Sequence, residues 1–294
     1  MSLYQRTYQH AIEHPDMFWA EQAKRVPWYT PPSTILHYDE QQHARWFHDG
    51  ELNICYAAID YHVEQGRGDQ PALYWDSPVT NSKQTLSYQA LRDRVAHVAG
   101  GLAKLGVNKG DRVIIYMPMV PEAMIAMYAC ARLGAVHSVV FGGFAPHELA
   151  VRIDDAEPKV VIAASCGVEV DKVLPYKPIV DKAISLSSFK PDACVIYQRD
   201  VHRVELQPGD VDWQTLEAEA LYVECVPVKA TDPLYILYTS GTTGRPKGVV
   251  HTQSSLLAGG WTVTLAHELS ESDRGMGVLP FYHINGLCVS VMGS

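Results

Sequence analysis

The run Tyr238-Thr-Ser-Gly-Thr-Thr-Gly-Arg-Pro-Lys-Gly248 consists almost entirely of residues suited to holding phosphate. Gly241, Gly244 and Gly248 let the backbone approach an anion and present its N–H groups. Thr239, Ser240, Thr242 and Thr243 add neutral donors, and Lys247 adds a compact positive charge. The combination suits a polyphosphate. It is not a Walker A loop, whose pattern G-x-x-x-x-G-K-[ST] keeps its glycines further apart and puts a hydroxyl straight after the lysine. Here Thr242 and Thr243 alone separate Gly241 from Gly244, and Gly248 follows Lys247, which implies a different nucleotide geometry.

Such a loop needs rigid elements to aim it. Ahead of it, the apolar and aromatic run Pro233 to Tyr238 reads as a buried strand; after it, a helix is expected from about Thr252 to Glu268 and a strand near Met276 to Leu279. Upstream, helix and strand alternate. Ser87 caps a helix whose face is Leu91, Val95, Val98, Leu102 and Leu105, closed by Gly106. A strand over Asp111–Tyr116 follows, then a helix opened by Pro121 and stopped by Gly134. Strands at Val136–Phe141, Lys159–Ala163 and Ala193–Tyr197 alternate with helices at Pro146–Ala156 and Pro178–Leu186. The pattern predicts an α/β fold, a mainly parallel sheet flanked by helices. Residues 1 to about 70 stand apart as an aromatic, histidine-rich and irregular zone, broken by Pro27, Pro31 and Pro32, with helical spacing only from Asn53 to Gln65.

The loop resembles the signature of the AMP-forming acyl-CoA synthetases, the superfamily shared with luciferases and peptide-synthetase adenylation domains. Phe18-Trp-Ala-Glu21, Ala44-Arg-Trp-Phe47, Lys109 to Pro118, Ala129 to Phe144 and Arg152 to Ala156 are similar to the acetyl- and propionyl-CoA synthetase branch. The resemblance implies an acetyl-CoA-synthetase-type N-terminal extension over 1–70. Residues 71–294 would then be the N-terminal portion of an adenylate-forming large domain, incomplete and without its C-terminal lid. It also implies the chemistry. A carboxylate and ATP repel each other, so attack on the α-phosphorus needs charge cancelled and groups aligned. Thr239, Ser240, Gly241, Thr242, Thr243, Gly244 and Lys247 would grip the phosphates of ATP, carried with Mg2+, and stabilise departing pyrophosphate. Coenzyme A would then capture the acyl group, near Phe141, Gly142 and Lys172. Where the acetyl-CoA synthetases show two arginines, this chain has Glu169 and Lys172.

The acyl pocket is assigned to His283, Asn285 and Gly286 within Gly277-Val-Leu-Pro-Phe-Tyr-His-Ile-Asn-Gly286, a stretch that looks more like medium-chain or aryl acid ligases. The first 250 residues therefore imply a short acid such as acetate or propionate, and residues 276–286 a bulkier one. The resemblance also implies elements that lie beyond residue 294, among them the lid's catalytic lysine, so no catalytic residue is assigned here and the chain by itself is expected to be an inactive N-terminal fragment. An adenylation domain loading a carrier protein, or a non-catalytic nucleotide-binding fragment, stays open.

The 294 residues carry a net charge of −9, which gives nucleic acid or an acidic membrane no basic field to bind. Small molecules are the expected partners: a carboxylic acid, ATP and coenzyme A. Six dispersed cysteines without C-x-x-C spacing read as reduced, mostly buried thiols of a cytoplasmic protein, and no metal site is expected. His10-Ala-Ile-Glu-His14 matches a zinc-peptidase pattern, but Pro15 disfavours helical geometry at His14. Asp154 and Asp155 read as a solvated helix end, and oligomeric state is not readable.

Overall fold

Short runs of β-branched and aliphatic residues build the central sheet, seen in a computed structural model that describes residues 2–169, 172–239, 246–270, 273–283 and 286. Its strands are β1 (Arg112–Tyr116), β2 (Val136–Val139), β3 (Val160–Ala164), β4 (Ala193–Tyr197), β5 (Asp210–Asp212), β6 (Pro233–Thr239) and β7 (Lys247–Thr252). They lie in the order β5-β4-β3-β1-β2-β6-β7. Every neighbouring pair is parallel except β6 and β7. Val113, Ile114, Ile115, Val160, Val161 and Ile162 are completely buried, as befits strands covered on both faces.

The covering helices are α1 (Tyr88–Lys104), α2 (Pro121–Arg132), α3 (Pro146–Ala156), α4 (Lys177–Leu186), α5 (Trp213–Glu219) and α6 (Gln253–Ala266). Their ends follow local chemistry. Ser87 Oγ accepts from the Ala90 N–H at 3.2 Å, and Pro121 and Pro146 open α2 and α3. Gly134 takes φ +70° where α2 turns into β2; a Cβ there would also lie 2.7 Å from Val228 Cγ1, so both conformation and space require glycine.

Residues 2–52 pack against the sheet's surroundings through their own small core. Phe47, Leu52, Ala23 and Ala230 are buried there, with Trp19, Trp28 and Trp46 around them. Helices Leu3–Glu13 and Pro15–Ala23 are separated by His14 at φ −136°, ψ 60°, so His10 and His14 do not share a regular helix face. The helical stretch expected from Asn53 contains two π-helical turns, Tyr56–Asp60 and Val63–Arg67.

Two sequence expectations need correction. Lys247 and Gly248 are not loop residues: Lys247–Thr252 is a strand, antiparallel to β6 with Thr239 opposite Lys247. Met276–Leu279 is not a strand. Met276 and Val278 are 84% and 73% exposed, and among the described residues no strand pairs with this segment.

Candidate functional site

The candidate site is placed by the sheet. β1 lies between β2 and β3, so the connection from β1 runs to one side and that from β3 to the other. In open α/β sheets ligands bind beyond the C-terminal strand ends at such a reversal. Thr239 ends β6 at that edge, and Lys247 sits opposite it at the start of β7. The two strands therefore fix both ends of the hydroxyl- and glycine-rich turn. Ser240, Gly241, Thr242, Thr243 and Gly244 lie outside the described residues. Thr239 and Lys247 are both exposed.

α3 supports β6 just beneath this turn. Tyr238 Oη donates to Asp155 Oδ2 at 2.7 Å, and burial together with that carboxylate raises the phenol's pKa, holding it protonated. The Arg152 guanidinium lies over the Phe144 and Tyr238 rings, 4.7 and 5.5 Å from their centroids. Arg152 also donates to the carbonyl and carboxylate of Glu148, one turn back in α3. Asp155 and Asp154 are both exposed in the last turn of α3, the solvated helix end expected, and Asp155 also supports Tyr238. Asp154 is likewise engaged: its carboxylate accepts from Ser187 Oγ at 2.6 Å and the Phe189 N–H at 2.9 Å, bonds that lower its pKa.

Phe141 and Gly142 follow β2 at the same edge. Phe141 is 36% exposed, and its ring meets Phe144 at 5.4 Å and Tyr282 at 5.0 Å. Gly142 is required by close approach: a Cβ there would lie 2.4 Å from Tyr176 Oη, and one on Gly167 would lie 2.1 Å from the same oxygen. Tyr176 thereby wedges the turn after β2 against an antiparallel hairpin, Cys166–Glu169 with Lys172–Pro175. Lys172 is exposed and faces Glu169 across that hairpin. The Glu169 carboxylate stands beside Gly143, 3.2 Å from where a Cβ would be.

Residues 280–283 cover the opposite face of β6. The Tyr235 hydroxyl donates to the Phe281 carbonyl at 3.3 Å, and the His283 N–H donates to the Pro280 carbonyl at 3.0 Å. His283 is exposed, Gly286 is buried and Asn285 lies outside the described residues. Sequence reasoning missed the imidazoles around Tyr235. His137, on β2, has its ring 5.1 Å from Tyr235, and His251, on β7, lies 6.3 Å away on stacked planes. Burial pushes His137 down to about 3 and also lowers His251. No sequence signal marks this set, because the three residues meet only through strand pairing.

The family models divide the chain in two. "AMP-binding enzyme" matches residues 60–294, and "Acetyl-coenzyme A synthetase N-terminus" matches residues 4–58. The chain belongs to the AMP-binding enzyme family. Within that family it is 56% identical over 248 residues to an uncharacterised protein of Pseudomonas aeruginosa, covering 84% of this chain and 40% of that one. It is 46% identical over 271 residues to the human mitochondrial acyl-CoA synthetase short-chain family member 3, covering 92% of this chain and 39% of that protein. The acetoacetyl-CoA synthetase of Streptomyces lividans superposes with a TM-score of 0.86 at 26% identity, over 99% of this chain and 45% of that one. The chain spans about two-fifths of the length of the curated relatives it matches. Among its described residues no helix is long and apolar enough to cross a membrane.

Proposed function

We propose that this chain supplies the phosphate-gripping part of an acid–thiol ligase. A short-chain carboxylic acid attacks the α-phosphorus of MgATP, the bond to pyrophosphate breaks, and the resulting acyl-adenylate passes its acyl group to the sulfur of coenzyme A. The observation that carries this reading is the β6–β7 hairpin. It sets Thr239 opposite Lys247, the two residues that bracket the donor-rich stretch 240–246, at the strand ends where an α/β sheet binds its ligands. Donors fixed beforehand hold pyrophosphate as it leaves without reorganising, which lowers the barrier more than flexible donors would. In this reading Thr239 and Lys247, with residues 240–244, hold the triphosphate. Phe141, Gly142 and Lys172 line the approach of coenzyme A, and His283 with residues 285 and 286 borders the acid. The names of the relatives support a short acid, the human one being a short-chain acyl-CoA synthetase.

The test is pyrophosphate exchange into ATP, using this chain joined to the remaining length of its Pseudomonas relative. Acetate, propionate, butyrate and an aryl acid are offered in turn. Exchange that is strongest with acetate or propionate supports the proposal. Absence of exchange with all four overturns it, and preference for the aryl acid replaces the short-chain assignment.

A further inference from the structure

Outside the site, two thiols meet in the interior. Cys55 stands at the start of the helical stretch 54–67, and Cys225 in the irregular stretch 220–227 that leads toward β6. Their sulfurs and a carboxylate oxygen of Asp60 all lie within 4.8 Å of one another, and all three residues are buried. Cys225 Sγ is 3.7 Å from Asp60 Oδ2, and Arg132 Nη1 is 3.7 Å from Cys55 Sγ.

The grouping has the residue types of a metal site but not its charge. Arg132 donates to both carboxylate oxygens of Asp60, at 2.7 and 2.9 Å, and so engages the third would-be ligand. A metal cation here would also be pressed against a guanidinium. The two sulfurs hold only the long 3.7 Å contacts above, and they lie within 4.8 Å of each other.

We infer that Cys55 and Cys225 form a reversible thiol–disulfide pair, oxidised by hydrogen peroxide, which is small enough to enter the interior, and that the bond ties the start of the helical stretch 54–67 to the stretch ahead of β6. The Cys55 sulfur attacks one peroxide oxygen; the O–O bond breaks, and the thiol proton leaves with the departing oxygen as water. The Cys225 sulfur then attacks the sulfenic sulfur of Cys55. An S–S bond forms, the S–O bond breaks, and a second water carries off the Cys225 proton. Two thiols lose two electrons in all, and one peroxide becomes two waters. Arg132 Nη1, 3.7 Å from Cys55 Sγ, places positive charge beside the reacting sulfur, where it offsets the negative charge that builds on the departing oxygen. The neighbouring Cys55 sulfur and burial raise the Cys225 thiol's pKa, so Cys225 stays protonated and Cys55, beside Arg132, is the sulfur that attacks first. Burial sets the selectivity, since bulky disulfides such as oxidised glutathione cannot reach either sulfur.

The test uses the chain as it stands, treated with graded hydrogen peroxide. Remaining thiols are then alkylated under denaturing conditions, and the digest is mapped by mass spectrometry. The expected product is a peptide pair linked through Cys55 and Cys225, lost on adding dithiothreitol, while Cys130 and Cys194 remain alkylated. The oxidised protein should melt roughly 5 °C higher than the reduced one, and Cys225→Ser should abolish that rise. Exposed Met276 serves as the internal marker of peroxide delivery. Oxidation of Met276 with no linked pair overturns the inference. So does purified protein holding stoichiometric zinc that is lost in Cys55→Ser. Should the serine variants not fold, peptide mapping of the unmodified chain decides alone.

Discussion

Two buried arginines of this molecule are used in opposite ways. Arg132 is fully buried and joins segments distant in sequence: it holds Asp60 through two parallel bonds, donates to the Val223 carbonyl at 2.6 Å and meets the Tyr222 hydroxyl at 3.1 Å. Arg152 directs the hydrogen bonds described above to Glu148 within its own helix, and gives its flat face to Phe144 and Tyr238 beside the candidate site. One guanidinium works as a clamp and the other as a floor. The clamp fixes the N-terminal segment against the end of α2, where a lost partner leaves an uncompensated charge. The floor holds the strand that carries the phosphate-type turn, and losing part of it should shift geometry more than stability.

That contrast can be broken from either side. Arg132→Met leaves Asp60 buried without its cation and should destabilise the chain by about 3–5 kcal/mol in chemical denaturation; a loss comparable to a surface change would show that the clamp carries no weight. Lys247→Ala, in a chain extended to the relatives' length, should lower pyrophosphate exchange by about ten- to a hundred-fold and leave the melting temperature unchanged, because Lys247 is exposed. Wild-type exchange in that variant would remove the turn from the chemistry.

His137 supplies a pH dependence that belongs to the core. Its folded value of about 3 lies below the ordinary 6.5, so between those values the unfolded chain binds the extra proton. Stability is unaffected by His137 above pH 6.5 and falls as pH drops toward 3, by about 1.4 kcal/mol per pH unit. Denaturation at pH 7, 6 and 5 should show a shallower loss in His137→Phe than in the parent; equal slopes would contradict this. The smallest effect is expected for Tyr238→Phe, which removes one hydroxyl from Asp155. Stability should change by about 1 kcal/mol, and a larger drop in exchange than in stability would mark the floor as a positioning device.

Much of the scaffold could be read from punctuation. Ser87, Pro121, Gly134 and Pro146 mark helix ends by local chemistry, and the β-branched runs between them have no other stable arrangement than buried parallel strands. β7 escaped because Val249 and Val250 are too short a run between Gly248 and the capping Thr252, and because its edge position leaves them exposed. Met276–Leu279 misled for the opposite reason, apolar residues without a strand to pair with. At the site, residue types pointed to one stretch, 239–247, as suited to phosphate. They could not show that Asp155 meets Tyr238, or that His137, Tyr235 and His251 gather on one face, since those contacts exist only once β2, β6 and β7 are paired.

The phenol of Tyr176 occupies the space that side chains would need at both Gly142 and Gly167. One ring therefore serves as a shared spacer for two backbone turns, and neither can be widened separately. Any redesign of that rim has to change the aromatic and both turns together, so single substitutions there should report loss of fit rather than a new preference.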